Sequence, residues 1–159
     1  MYKKLEKWLN KVLKGHIPHD VVALYFKLHE NGHHRWSMEL IGCNRFDPQD
    51  NTWSSEETFD FGTKKKPLKW WKWTNWQTIL VDMTQFVKQY LENGCYAELL
   101  KSYQGIGIGF ADRDLFLIHN NPDGKGKEKA KKASKTGLFL GIGVVILVAL
   151  GLCAWKMLG

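Results

Sequence analysis

VVALYFKLHENGHHRWSMELIG, residues 21–42, is the stretch that decides the fold. Val22, Leu24, Phe26 and Leu28 alternate with Ala23, Tyr25, Lys27 and His29. After NGHH, Trp36, Met38 and Leu40 alternate with Ser37, Glu39 and Ile41. A period of two sends successive side chains to opposite faces of a strand. Two such runs joined by a short glycine-containing turn make a β-hairpin, here with one apolar face to cover.

Upstream, MYKKLEKWLNKVLKG sets Leu5, Trp8, Leu9, Val12 and Leu13 at helical spacing and most lysines elsewhere on the wheel. This predicts an amphipathic helix ending at Gly15, with Pro18 forbidding continuation. Docking on the domain's own sheet is expected; an anionic membrane surface is the competing place for such a helix. Downstream, FDPQDNTWSSEETFDFG (46–62) reads as a loop and then a strand near 53–61. TNWQTILVDMTQFVKQYLENG (74–94) is the clearest helix. Thr74 and Gln77 fit a capping box, a stripe runs from Trp76 to Leu91, and Asn93-Gly94 closes it. CYAELLKSY suggests a further short helix. QGIGIGFADRDLFLIHN suggests a second hairpin turning near Asp112-Arg113, with Gly105, Gly107 and Gly109 on one face and Ile106, Ile108 and Phe110 on the other. Hairpins with helices grouped together indicate an α+β domain, here an antiparallel sheet of about four to six strands with helices packed on one face.

The formal charge is +7, but residues 1–122 carry 16 Lys/Arg against 14 Asp/Glu, a net of +2. Residues 123–136 carry six lysines against Asp123 and Glu128, a net of +4, and Lys156 supplies the rest. The excess thus sits largely in one linker, which argues against a basic nucleic-acid-binding face on the folded part. Three cysteines, Cys43, Cys95 and Cys153, without CxxC spacing, argue against a disulfide framework and a thiolate zinc site.

GLFLGIGVVILVALGLCAW, residues 137–155, is a run of 19 residues without a charge. As a helix it would span about 28 Å, close to the ~30 Å hydrocarbon thickness of a bilayer. Trp155 closes it at an interfacial position, and the lysines crowd before it, so the preceding head is expected on the cytoplasmic side. The expected plan is a globular head (1–121), a Lys-rich linker (122–136), a single transmembrane helix (137–155) and a short tail (156–159), anchored in the inner (plasma) membrane. Gly137 and Gly141 form one GxxxG, a route to a homodimer through that helix.

KPLKWWKWTNWQ, residues 66–77, packs Trp70, Trp71, Trp73 and Trp76 among lysines. Base stacking would suit such a cluster, but the nearly neutral head and the carboxylates upstream oppose a phosphate backbone. A membrane-interface belt or protein contact and simple packing at a strand end and helix start remain. The carboxylates Asp47, Asp50, Glu56, Glu57 and Asp60 occur without a basic residue from Phe46 to Gly62. Such a strip can meet a basic protein surface and steer association.

Catalytic signals are weak. His16 and His19 straddle Pro18, which rules out paired ligands on one helix. GIGIG follows a helix and precedes a strand, the reverse of a dinucleotide loop, so its glycines are expected to let a neighbour approach the sheet. No cofactor or metal is expected. The alternatives kept open are a membrane-bound hydrolase-like enzyme using the carboxylates with His29 or His119, and a membrane-surface structural protein.

An N-terminal amphipathic helix, the entry HIPHDVV into a hairpin, the acidic Trp-bearing DNTWSSEETFDF and a long helix followed by closing strands (YLENGCYAELLKSYQGIGIGFADRD) together resemble the small immunity proteins of bacterial polymorphic toxin systems. The resemblance covers about residues 1–121 and lies in the pattern, with no diagnostic motif; the membrane tail departs from their usual soluble form. It implies binding and masking of a toxin without catalysis, and transfers no site residues. The expected function is a non-enzymatic, membrane-tethered interaction domain whose protein partner meets Asp47, Asp50, Glu56, Glu57, Asp60, Trp70, Trp71 and Trp73, with lipid engaged by the linker and 137–155.

Overall fold

A computed structural model describes residues 1–125. The expected transmembrane helix, its Gly137/Gly141 motif, most of the linker and the tail lie outside the described residues. Among the described residues, no helix is long and apolar enough to cross a membrane.

The chain forms α1 (Tyr2–Val12), β1 (Ala23–Glu30), β2 (Arg35–Cys43), a 3-10 turn (Asn51–Ser55), β3 (Glu57–Phe59), β4 (Leu68–Trp71), α2 (Trp76–Asn93), α3 (Ala97–Lys101), β5 (Gly105–Phe110) and β6 (Leu115–Asn120). The fold is α+β with a six-stranded sheet ordered β3-β2-β1-β5-β6, and β4 pairs with β2 as well. The two hairpins form as the alternation predicts, with Phe26 opposite Leu40 and Leu28 opposite Met38.

The sheet is mixed, which corrects the antiparallel expectation. β1 and β5 run parallel, Leu24 beside Ile106 and Phe26 beside Ile108. Side-chain alternation is the same in both pairing modes. Direction is set by the connection, and here α2 and α3 carry the chain back to enter beside β1 in the same sense.

One face bears the main core. Leu24, Phe26, Met38, Leu40, Ile106 and Ile108 are fully buried against Leu5 and Leu9 of α1 and Ile79, Met83 and Val87 of α2. Each such side chain contributes about 1.5–3 kcal/mol by leaving water. The helix-docking expectation for α1 therefore stands. α1 stops at Val12 with Leu13 as its cap, short of Gly15; the Leu13 amide still donates to the Leu9 carbonyl, and its side chain is buried in the core. α2 starts one residue later than the capping box implied. Asn75 is the N-cap, and its side chain accepts from the Thr78 amide at 2.9 Å, so Thr74 and Gln77 do not cap it. At its far end, a Cβ on Gly94 would come within 2.6 Å of the Tyr90 ring, so glycine is there for space.

The hairpin's second face is also half covered, where the alternation predicted a single apolar face. Ala23, Tyr25, Ile41 and Cys43 form a smaller cluster under Trp53 and Leu115, with Phe46 against it; Val22 joins this cluster and not the main one. Phe46 and Trp53 meet edge-to-face at 5.3 Å. The glycines of β5 make room for them, as expected. A Cβ on Gly105 would fall within the Phe46 ring, and one on Gly107 would lie 3.1 Å from Trp53. Trp53 sits in the 3-10 turn and not in a strand over 53–61, because Asp50 folds the chain locally, accepting from the Thr52 amide at 3.0 Å and its hydroxyl at 2.7 Å. Only Glu57–Phe59 pair with β2 there.

β3 and β4 share one edge of β2, and a side chain fills the gap between them. Buried Thr63 donates its hydroxyl to the Leu40 carbonyl and accepts from the Leu40 amide, both at 3.0 Å. The head also runs past the boundary placed at 121. Gly124 is buried against the Tyr103–Gln104 backbone, and the Lys125 amide donates to the Ser102 carbonyl at 2.9 Å.

Candidate partner-binding face

Beyond Trp53, the second face of the sheet is open. Cross-strand pairing places Lys27 beside Glu39, His29 beside Ser37, Ser37 beside Lys69 and Arg35 beside Trp71. A groove of about 730 Å³ runs over this half, bounded by His29, Glu39, Arg35, Lys69 and Trp71. Ser37 is buried at its floor, and its hydroxyl oxygen accepts from Asn31 Nδ2 at 2.9 Å. His29 Nε2 lies 3.3 Å from Glu39 Oε1 but out of hydrogen-bond alignment, so this buried nitrogen stays unsatisfied.

The tryptophans separate by strand parity. Trp70, opposite buried Trp36, turns toward the helices and is half-buried against the core. Trp71 points to the groove side and is 64% exposed, and Trp73, just past the strand, is 75% exposed. Trp76 begins α2, with the Arg113 guanidinium 4.4 Å over its ring. Trp73 stacks on His34 with centroids 3.9 Å apart. His34 belongs to a turn in which Gly32, His33 and His34 have φ of 71°, 50° and 55°. Two adjacent non-glycine residues in the left-handed region carry a steric cost, and strain of that kind clusters at working surfaces. Trp36 Nε1 donates to the Lys72 carbonyl at 3.0 Å and the Lys72 amide donates to the His34 carbonyl at 3.0 Å, pinning the Trp71–Trp73 segment to this turn.

The acidic residues do not form one naked strip. Asp47 accepts from the Gln49 amide at 2.9 Å. Asp50 caps the 3-10 turn and meets Arg45 at 3.2 Å; its hydrogen bonds from Thr52, helped by Arg45, hold its carboxyl below the usual range. Glu57 pairs with Lys27 of β1 and, at 2.7 Å, with Lys64. Burial pushes the Glu57 carboxyl up, but the hydrogen bonds and charges of the two lysines outweigh it and hold it below its ordinary value. Asp60 accepts from the Lys64 amide at 2.8 Å. Glu56 stays exposed, without an ion-pair partner among the described residues. The absence of a basic neighbour in sequence does not carry over to space: Lys27, Lys64 and Arg45 arrive from flanking segments.

The histidines reserved for an enzyme stand apart. His119 Nε2 lies 3.0 Å from the Lys101 carbonyl, on the helix side of the sheet, away from His29 and Glu57. His16 and His19 meet edge-on at 6.0 Å. Among the described residues, no cluster of three His, Cys, Asp or Glu is placed to hold a metal ion. Cys43 is buried under the Trp53 loop, and burial raises its thiol to about 12. Arg35, His34 and Lys69 were not singled out by the sequence reading. Their signal was the parity that pairs Arg35 with Trp71 and Ser37 with Lys69, legible only once β4 is known to add to β2.

Compared with known proteins, the chain matches no family model, no curated protein and no solved structure.

Proposed function

We propose that this chain is a non-enzymatic protein-interaction domain tethered to a membrane, and that its working surface is the Trp71–Trp73 end of the open sheet face. The observation that supports this most is the pair of tryptophans, 64% and 75% exposed, held beside a strained histidine turn and a groove with Arg35 and Lys69 at its rim. Large, stiff aromatics next to arginine are the side chains that anchor protein contacts. The tether is supported by the uncharged run 137–155 and the lysines before it. The resemblance to immunity proteins makes a toxin the partner class, bound and masked. Of the acidic residues, exposed Glu56 is the one most open to a partner: cations within the fold already meet Asp50 and Glu57, and Asp47 and Asp60 accept backbone amides.

The test uses the intact chain in native membranes with a photo-crosslinking residue at position 73, and at exposed Lys88 as control. A discrete protein adduct specific to position 73, lost in a Trp71→Ser variant of unchanged thermal stability, supports the reading. Adducts to lipid alone at position 73 support the membrane-surface alternative and remove this one. The immunity form is checked by growth: the chain must protect cells against a toxin domain encoded beside it.

A further inference from the structure

We propose that the outward face of α1 and the adjoining Lys64–Lys66 loop form a basic flank that lies on the anionic headgroups of the membrane, with the groove face turned away from the lipid. This rests on the membrane tether proposed above. The near-neutral sum of the head hides a separation of charge. Residues 1–14 and 61–73 carry ten lysines against Glu6 alone, a net of +9. The rest of residues 1–122 carry six Lys/Arg against 13 Asp/Glu, a net of −7. The fold joins the two basic segments side by side, although the bonded residues stand 65 and 58 positions apart. Lys4 Nζ donates to the Lys69 carbonyl at 2.6 Å, and Trp8 Nε1 donates to the Lys66 carbonyl at 3.3 Å.

All ten lysines are exposed. Among the described residues only Lys3, Lys64 and Lys72 have a carboxylate within 4.0 Å, from Glu6, Glu57 and Asp82. Lys3, Lys4, Lys7 and Lys11 share about 100° of the helix circumference, opposite buried Leu5 and Leu9. α1 packs on one face of the sheet and the groove opens on the other, so the lysine side of α1 and the groove point in opposite directions. Lipid is the occupant on two grounds. Eleven residues, 126–136, separate the described head from the uncharged run, and extended chain of that length allows at most about 40 Å between head and bilayer. Every cation of the flank is also a lysine, a compact charge on a flexible stem that suits a diffuse anionic surface, where a fixed acidic site favours the planar fork of arginine. Base stacking has no platform here, since the Trp8 ring is packed against the core.

The experiment takes the full chain in lipid nanodiscs, with Cys95→Ser and Cys153→Ser to remove competing thiols. A bimane fluorophore is placed at Lys7→Cys on the flank or at Ser55→Cys in the 3-10 turn over the other face. A nitroxide on the lipid headgroups reads proximity by quenching. In discs containing phosphatidylglycerol at about 0.1 M salt, position 7 should be quenched about threefold more than position 55. In phosphatidylcholine alone the two should be alike, and the difference should vanish at about 1 M salt, where the Debye length is about 3 Å. Lys11→Glu, Lys14→Glu and Lys65→Glu together should abolish it at an unchanged unfolding midpoint, and the three Gln substitutions should weaken it. Retention on the disc at high salt reads the tether separately. Loss there removes the tether and this proposal together; a retained chain with position 7 quenched no more than position 55 overturns the proposal alone. Equal quenching with and without phosphatidylglycerol, or a contact that survives the three glutamates, overturns it too. A position 7 left unquenched by lipid but shielded by added duplex DNA would assign the lysines to nucleic acid and overturn it equally.

Discussion

At the β4 end of the sheet α1 supplies two side-chain hydrogen bonds, from Lys4 to the Lys69 carbonyl and from Trp8 to the Lys66 carbonyl, and Pro67 precedes the four-residue strand. At the β6 end a six-residue strand carries Phe116 and Leu117 half in water, with one weak side-chain bond at its first carbonyl. The ends differ in what lies next to them in the chain. β4 lies near amphipathic α1, whose Leu5 and Leu9 are in the core, so the contacts at this edge follow from the burial of α1. β6 is the last element of the described residues, and no helix follows it there. The covered end also presents the exposed Trp71 and Trp73 on its other side.

Unseating the guard should have the largest effect on this contrast. Leu9→Ala should lower unfolding stability by about 2–5 kcal/mol through the cavity it leaves, measured by urea denaturation. Amide exchange over Leu68–Trp71 should accelerate more than exchange over Leu115–Asn120. Equal acceleration at both edges would mean that α1 does not protect β4.

Next in size is the seam between β3 and β4. Thr63→Val removes the hydroxyl that satisfies both polar groups of Leu40, and about 2 kcal/mol should be lost for leaving them buried and unpaired. Thr63→Ser should keep most of it, and a Val variant as stable as Ser would show that water replaces the hydroxyl.

Smaller again is the acid sensitivity of the open face. The folded state holds the Glu57 carboxyl below its ordinary value of 4.5, so its contribution is present above that pH and is lost as pH falls through the lowered folded value. Stability should therefore fall with acidification below about pH 4.5, and Glu57→Gln should flatten that part of the profile. An unaltered slope in the Gln variant would assign the acid sensitivity to other carboxylates. The smallest effect should be a gain. His33→Gly relieves a residue held at φ 50° and should add about 1 kcal/mol at most. The same change should weaken partner adducts at position 73 if the turn positions Trp73.

Much of the fold was legible. Alternation over 24–28 and 36–40 buries Leu24, Phe26, Leu28, Trp36, Met38 and Leu40 on one face, and the 3.6-residue stripes of α1 and α2 bury Leu5, Leu9, Ile79, Met83 and Val87 against it, so period and burial agree. The Gly105–Gly107–Gly109 row predicts room for a close neighbour, and Phe46 takes it over Gly105, Leu115 and Trp53 over Gly107, and the Asp114 backbone over Gly109. Three things were not legible. Trp53 lies in a helical turn because one Asp50 side chain bends the backbone locally. Glu57 is paired by Lys27 and Lys64, the first of them 30 residues distant in the chain, and Asp50 by Arg45. Trp70 and Trp71 divide between core and solvent by one step of strand parity, which adjacent identical residues cannot reveal.

The amino-acid sequence by itself determined the α+β class, the two hairpins, the two principal helices and an uncharged 19-residue run of bilayer length, because each is a local periodicity or a local absence of charge. Tertiary structure alone decided that β5 enters parallel to β1, that Lys4 and Trp8 of α1 reach the carbonyls beside β4, and that Trp71 and Trp73 face solvent while Asp50 and Glu57 find cations. These are contacts between segments far apart in the chain, fixed by where a helix brings a strand back and which side chains it meets there, and no window of neighbouring residues contains that information.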